Sequence, residues 1–330
     1  MKKNLIRIAT FSLSLLLIIP LVLSSCSKPD SELEINIYAL SGTTALGMAK
    51  MMENAQNNAD DMNYNITLYS DANIVTNAIV SGECDIAALP TNVAAKLYKK
   101  SEGKIQLLAL NTLGVLYVLD TTNSIKSLSD LKGKTVYLPG SGSNPEYITA
   151  ALLNGAGLTV GKDVFLDTES FGNPDALQAA IIAGKAPIAV MPEPKVSVVT
   201  TKNTNAKVAI DLTEEWEKLY GENTLVQGCL VVNKAFAEEH KAEIKKFLRD
   251  YDESVEYVAS ASDEAIATVV GQKILPSEPI AKKALPNCNI CCITKNDMKE
   301  AISVFYEKLY ELTPASIAAI PDDGFYYVKG

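Results

Sequence analysis

Apolar and polar positions alternate from Glu34 to Leu40, the period-two pattern of a half-buried strand. A Ser41-Gly42-Thr43 loop follows, then a helical stretch from Ala45 to Ala55. One hundred residues later the order recurs: Lys134 to Pro139 reads as a strand, Gly140 to Ser143 as a loop, and Pro145 to Asn154 as a helix. A second recurrence is sharper. Asn77-Ala-Ile-Val-Ser-Gly82-Glu-Cys-Asp-Ile86-Ala87-Ala-Leu-Pro90 aligns with Ala179-Ala-Ile-Ile-Ala-Gly184-Lys-Ala-Pro-Ile188-Ala189-Val-Met-Pro192 at a constant offset of 102 residues. Each copy predicts a helix, a glycine that ends it with positive φ, a short apolar strand, and a proline that stops the strand. Asp71 and Asn173 stand at matching places upstream and are N-cap residue types, which accept a hydrogen bond from the first helical turn. Strands alternating with helices, read twice, predict an α/β protein with two mostly parallel sheets, hence two lobes.

The remaining patterns fill in the frame. Ile105 to Leu119 is almost continuously apolar, interrupted by Asn111, Thr112 and Gly114, and predicts two buried strands. Leu225 to Val232 is a further apolar run, and both runs are candidates for strands that cross between lobes. Ala237 to Ala259 is helical by the spacing of Ile244, Phe247, Leu248, Tyr251, Val255 and Val258. Asp263 to Gly271 and Asp297 to Leu312 read likewise, and the tail after Pro314 is irregular.

The amino terminus carries an address. Lys2, Lys3 and Arg7 precede a 13-residue apolar run from Phe11 to Leu23, which is shorter than the roughly 20 residues a spanning helix needs. It ends on Leu23-Ser24-Ser25-Cys26, which resembles a bacterial lipobox, in which the cysteine is lipidated and becomes the first residue. On that reading residues 1–25 are removed and residues 26–33 form a lipidated tether. The 305 residues that remain lose three positive charges, so the net charge moves from -9 to -12. The lipid would then hold the protein on the extracytoplasmic face of the cell membrane.

Composition narrows the chemistry. An acidic chain with no basic block is unsuited to nucleic acid. There are two arginines, Arg7 and Arg249, and the single histidine, His240, sits beside a charged helix face. Metal sites rich in histidine and nucleophile–histidine chemistry are therefore not expected, and no cofactor or metal is predicted. Beyond Cys26 five cysteines remain, an odd number. Cys288 and Cys291 have metal-like spacing but lack a second pair, and read as small buried hydrophobes on a strand.

Several stretches together resemble type II periplasmic binding proteins: the strand–Ser41-Gly42-Thr43–helix opening and residues 81–87, 128–136, 183–194 and 231–236. They are similar, more narrowly, to the branch serving importers of nitrate, sulfonates, taurine and thiamine-pyrimidine precursors. The resemblance implies two α/β lobes joined by two crossing strands, with the first lobe built from both ends of the chain: 34–121 and 227–330, enclosing a second lobe at 122–226. It implies a monomeric, non-catalytic carrier that clamps a small polar ligand and hands it to the permease and ATPase of an ABC-type importer. A lipid-anchored sensor, or an enzyme resembling thiamine-pyrimidine synthases, would share the fold.

Ligands of open parallel sheets bind beyond the carboxyl ends of the strands, where helix amino termini offer free N–H groups. Four loops qualify: Ser41, Gly42, Thr43 and Thr44; Ser70 and Asp71; Gly140, Ser141, Gly142, Ser143 and Asn144; Gly172 and Asn173. Thr91 and Asn92 either contact ligand or cap a helix. Asn111 and Thr112 in the first crossing and Gln227 in the second are read as cleft contacts or hinge hydrogen bonds, and Glu193 as reaching the cleft, a hinge amide or solvent. With no arginine in any of these loops, a bidentate clamp on a carboxylate or phosphate is not expected.

Overall fold

Burial along residues 34–40 follows the alternation of the sequence: Ile35, Ile37 and Ala39 are fully buried and Glu34 is exposed. The computed structural model describes residues 33–59 and 61–328, and this strand is β1 (Glu34–Leu40). The signal segment and Cys26 lie outside the described residues. The chain continues through α1 (Thr43–Leu46), α2 (Ala49–Gln56), β2 (Asn63–Tyr69), α3 (Ala72–Ser81), β3 (Ile86–Pro90), α4 (Thr91–Lys100), β4 (Ile105–Thr112) and β5 (Leu116–Asp120). Then come β6 (Thr135–Tyr137), α5 (Asn144–Gly155), β7 (Phe165–Asp167), α6 (Pro174–Ile182), β8 (Ile188–Pro192), α7 (Lys195–Lys202), β9 (Lys207–Asp211) and α8 (Leu212–Tyr220). The last part holds β10 (Gly228–Asn233), α9 (Lys234–Glu239), α10 (Lys241–Ala259), α11 (Asp263–Gly271), α12 (Glu278–Ala284), β11 (Ile290–Ile293) and α13 (Lys295–Leu312).

The strands form two sheets flanked by helices. A six-stranded sheet has the order β11-β4-β10-β3-β1-β2 and a five-stranded sheet the order β7-β6-β8-β5-β9. β1 pairs in parallel with β2 and β3, as β6 does with β7 and β8. β10 runs against β3 in the first sheet and β5 runs against β8 in the second. Each of these two strands is the first that the chain forms after passing from one sheet to the other.

The duplicated segment has matching local geometry. Gly82 ends α3 at φ 82° and Gly184 follows α6 at φ 73°, left-handed values that favour glycine. Both turns lead into the middle strand region of a sheet, β3 and β8, which end on Pro90 and Pro192.

Two expected boundaries move. The passage to the second sheet lies between Thr112 and Leu116, so β5 stands in the second sheet and not in a first lobe extending to 121. The intervening Leu113-Gly114-Val115 is as apolar as the strands beside it, so hydropathy does not mark the break. The helix expected from Ala45 to Ala55 is two helices, interrupted where Gly47 lies against Tyr251 and Val255 of α10.

One apolar cluster runs through both lobes, from Val75, Leu89 and Leu107 to Val136, Leu152 and Trp216. α13 joins them. Phe305 packs 5.5 Å from the fully buried Trp216 of α8, and the Tyr306 hydroxyl donates to the Thr91 carbonyl at 2.7 Å. Fully burying a large apolar side chain contributes about 1.5–3 kcal/mol, against about 1 kcal/mol for one hydrogen bond. The α13 seam is therefore the durable link between the lobes, and the hydrogen bonds across the cleft are the breakable ones.

Candidate ligand-binding cleft

Pro90 and Pro192, at equivalent places in the repeat, face one cavity of about 310 Å³ between the two sheets. Thr43, Thr44, Asn92, Val93, Thr112 and Gly228 line it from the first lobe, and Leu116, Ser141, Gly142, Ser143, Asn144 and Pro145 from the second. Val115 and Gln227 come from the two crossings, and no charged side chain lines the cavity among the described residues.

The crossings are bonded to each other. The Gln227 backbone N–H donates to the Thr112 carbonyl at 2.9 Å, and its side-chain Oε1 accepts from the Val115 N–H at 2.7 Å. Gly228 is required by close approach: a Cβ there would come within 2.8 Å of Thr112 Oγ1. Asn111 Nδ2 donates to the Thr44 carbonyl, which ties α1 to the first crossing.

Three side chains bridge the lobes by hydrogen bonds at the cleft. Thr43 Oγ1 donates to the Glu193 carbonyl at 2.9 Å. Asn92 Nδ2 donates to the Gly142 carbonyl, and Asn144 Nδ2 donates to both Thr91 Oγ1 and the Gln227 carbonyl, each at 3.2 Å. Acceptor partners set both amide orientations, because a flipped amide would point oxygen at a carbonyl. Asn92 Oδ1 and Asn144 Oδ1 are consequently buried without a donor, on residues 1% and 5% exposed. A buried acceptor without a donor costs about 1–3 kcal/mol, and both of these belong to residues that line the cavity.

The start of α4 borders the same space. α4 has no side-chain cap; its Thr91 N–H goes to the Gln227 carbonyl, and its next residues, Asn92 and Val93, line the cavity. The N–H groups of a first helical turn lack intrahelical partners and carry the positive end of the helix dipole. The cleft wall thus combines the hydroxyl residues Thr43, Thr44, Thr112, Ser141 and Ser143 and two asparagines with the apolar Pro90, Val93, Val115, Leu116, Pro145 and Pro192.

The residues singled out in the sequence divide into three groups. Thr43, Thr44, Asn92, Ser141, Gly142, Ser143 and Gln227 line the cavity. Thr91, Asn111 and Glu193 are buried and support its walls. The Glu193 carboxylate accepts from the N–H and hydroxyl of Ser197, and burial raises its pKa to about 7. Ser41, Gly42, Gly140, Asp71 and Asn173 lie outside the lining. The last two are exposed N-caps: Asp71 accepts from the Asn73 N–H, and Asn173 from those of Asp175 and Ala176. Asn144, which closes the second Ser-Gly loop, and Thr112, a polar interruption of the first crossing, also line the cavity, whereas the apolar Val93, Val115, Leu116 and Pro145 were not singled out as contacts.

Cys84, Cys229, Cys288, Cys291 and Cys292 are free, and no group of residues that could hold a metal ion occurs among the described residues. Burial pushes the Cys291 thiol up to about 12.

Residues 43–273 match the model of a family described as "ABC transporter, phosphonate, periplasmic substrate-binding protein". The chain belongs to that family. No curated relative gives a significant match to the sequence. Solved structures share the fold of this binding protein. An ABC transporter from Parabacteroides distasonis is 23% identical, with 90% of this chain and 99% of that chain covered and a TM-score of 0.75. The periplasmic aliphatic sulphonate binding protein SsuA from Escherichia coli is 17% identical, with coverage of 88% and 94% and a TM-score of 0.70. The ligand-binding component of an ABC-type import system from Staphylococcus aureus, with zinc bound, is 14% identical, with coverage of 89% and 96% and a TM-score of 0.67. No helix among the described residues is long and apolar enough to cross a membrane.

Proposed function

We propose that this importer binding protein captures a small phosphonate or sulfonate that also carries a hydrogen-bond donor, such as an ammonium group, and delivers it without chemical change. The observation that carries the reading is the pair of buried oxygens, Asn92 Oδ1 and Asn144 Oδ1, left without donors beside the uncapped amino terminus of α4. The oxyanion takes the backbone donors of α4, and the donor end takes the amide oxygens. The family description and the sulphonate-binding neighbour support the oxyanion. The junctions of the two lobes lie at 113–115 and 221–227, and the lobes close about them.

Calorimetric titration of the purified protein tests this. Aminoalkylphosphonates and taurine should bind about tenfold more tightly than their counterparts lacking the amine, and Asn144→Ala should abolish that preference. Equal affinity with and without the amine removes the donor assignment; failure of every phosphonate and sulfonate to bind removes the ligand class. Turnover of any of them by the isolated protein removes the carrier reading.

The Leu23-Ser24-Ser25-Cys26 run supports a lipid anchor on the extracytoplasmic face. Cys26→Ala should move the protein from the membrane to the soluble fraction. Retention of the unlipidated variant would count against the anchor.

A further inference from the structure

A second cavity, also of about 310 Å³, opens beside α10 and β11 and shares no lining residue with the cleft. One face of α10 supplies Lys245, Leu248, Arg249 and Asp252, at the spacing that places side chains on a single helix face. Cys292, Thr294, Lys295 and Tyr327 form the other wall. In a chain whose net charge is -9, this cavity holds three cations against one carboxylate. Local reversal of charge in a concave site concentrates anions from solution.

The cationic groups are available. Among the described residues Arg249 pairs with the Asp250 carboxylate alone, at 3.6 Å with the guanidinium largely exposed, while Asp250 is bound more closely by Lys246 and the Tyr64 hydroxyl, both at 2.7 Å. Exposed pairs of that kind hold a side chain weakly. Lys245 and Lys295 form no ion pair among the described residues.

Two further features point the same way. The Tyr327 hydroxyl is buried with no hydrogen-bond partner. Thr294 precedes the 18-residue α13 without capping it, and Lys295 is held at φ 56°, left-handed backbone that disfavours a residue with a side chain. Burial, with Asp252 alongside, raises the Cys292 thiol to about 12, so it stays neutral and adds no negative charge to the wall.

We infer that this cavity is a second binding site, separate from the cleft, that takes a phosphoryl group through Lys245, Arg249, Lys295 and the Tyr327 hydroxyl. Arginine and lysine donors suit a tetrahedral dianion, and the free N–H groups at the start of α13 add to them. A soluble phosphate and an anionic lipid headgroup present the same chemistry.

The experiment uses the folded chain with inorganic phosphate as probe and, in parallel, phosphatidylcholine vesicles with and without phosphatidylglycerol. Saturable phosphate binding should weaken at least about tenfold in Arg249→Gln/Lys295→Gln. Tyr327→Phe should weaken it roughly threefold. Vesicle binding that needs phosphatidylglycerol and is lost in the double variant identifies the headgroup as the source. Amide shift mapping on the unaltered protein should place the phosphate at Thr294, Lys295 and Arg249. The inference is overturned if neither probe binds, if the double variant binds as the wild type does, or if the shifts fall on Asn92 and Asn144.

Discussion

Glu193 is 3% exposed, and its two functional ends do different things: the carbonyl accepts from Thr43 of the other lobe, while the carboxyl group closes onto Ser197 at the start of α7. Burial outweighs the two Ser197 hydrogen bonds and the nearby Lys283, which act in the opposite direction, and raises the pKa from 4.5 to about 7. Below pH 4.5 the group is protonated both folded and unfolded. As pH rises towards 7 the unfolded chain releases its proton first, so the folded state loses on the order of 3 kcal/mol from this group, and the loss is complete above the folded pKa. Glu193→Gln should therefore gain stability relative to wild type across that window, read as a widening gap between urea midpoints from pH 4.5 to above 7. A constant gap would show that the carboxyl group does not titrate abnormally. The sequence shows a carboxylate next to the duplicated proline but not whether it is exposed, because that depends on how the chain folds around it, with Ser197 of α7 bonded to it and Lys283 of α12, ninety residues on, close enough to act on its charge. The two orphaned oxygens were equally out of reach. Each is defined by what the other end of its amide finds, and those partners, Gly142 for Asn92 and Thr91 and Gln227 for Asn144, are 50 to 83 residues distant.

Elements whose ends are coded locally were legible. α3 and α6 have their caps, terminating glycines and following strands within one short segment, and the repetition of that segment doubles the signal. Elements shaped by distant packing were not. The break between α1 and α2 answers to α10, about two hundred residues later, and the apolar turn between β4 and β5 is invisible to hydropathy. The caps also separate two roles that the sequence left open for Asp71 and Asn173. Their oxygens accept from first-turn N–H groups and their side chains are exposed away from the cavity lining. Asp71→Ala and Asn173→Ala should each cost about 1 kcal/mol of stability in chemical denaturation and leave ligand affinity within twofold of wild type. A tenfold loss of affinity from either would return that residue to the site.

At the scale of the molecule, the two lobes are held by links of unequal strength. The crossings and the α13 seam, with Trp216, Phe305 and Tyr306 buried, persist through any motion that does not unfold the protein. The bonds from Thr43, Asn92 and Asn144 across the cleft, and the exposed one from Lys283 of α12 to Thr200 of α7, can open. A ligand that touches both sides adds to the second set only when the lobes are together, so it shifts the balance towards the closed arrangement by its differential affinity. Thr43→Val removes one of these links without touching the orphaned amide oxygens. Its expected effect is a larger radius of gyration without ligand by small-angle X-ray scattering, and an affinity lower by roughly fivefold, the worth of about 1 kcal/mol. Saturating ligand should restore the compact profile, because the shift is in population and not in the closed geometry. If neither the substitution nor the ligand changes the scattering profile, the lobes do not open about the crossings, and binding must proceed through a fixed cleft.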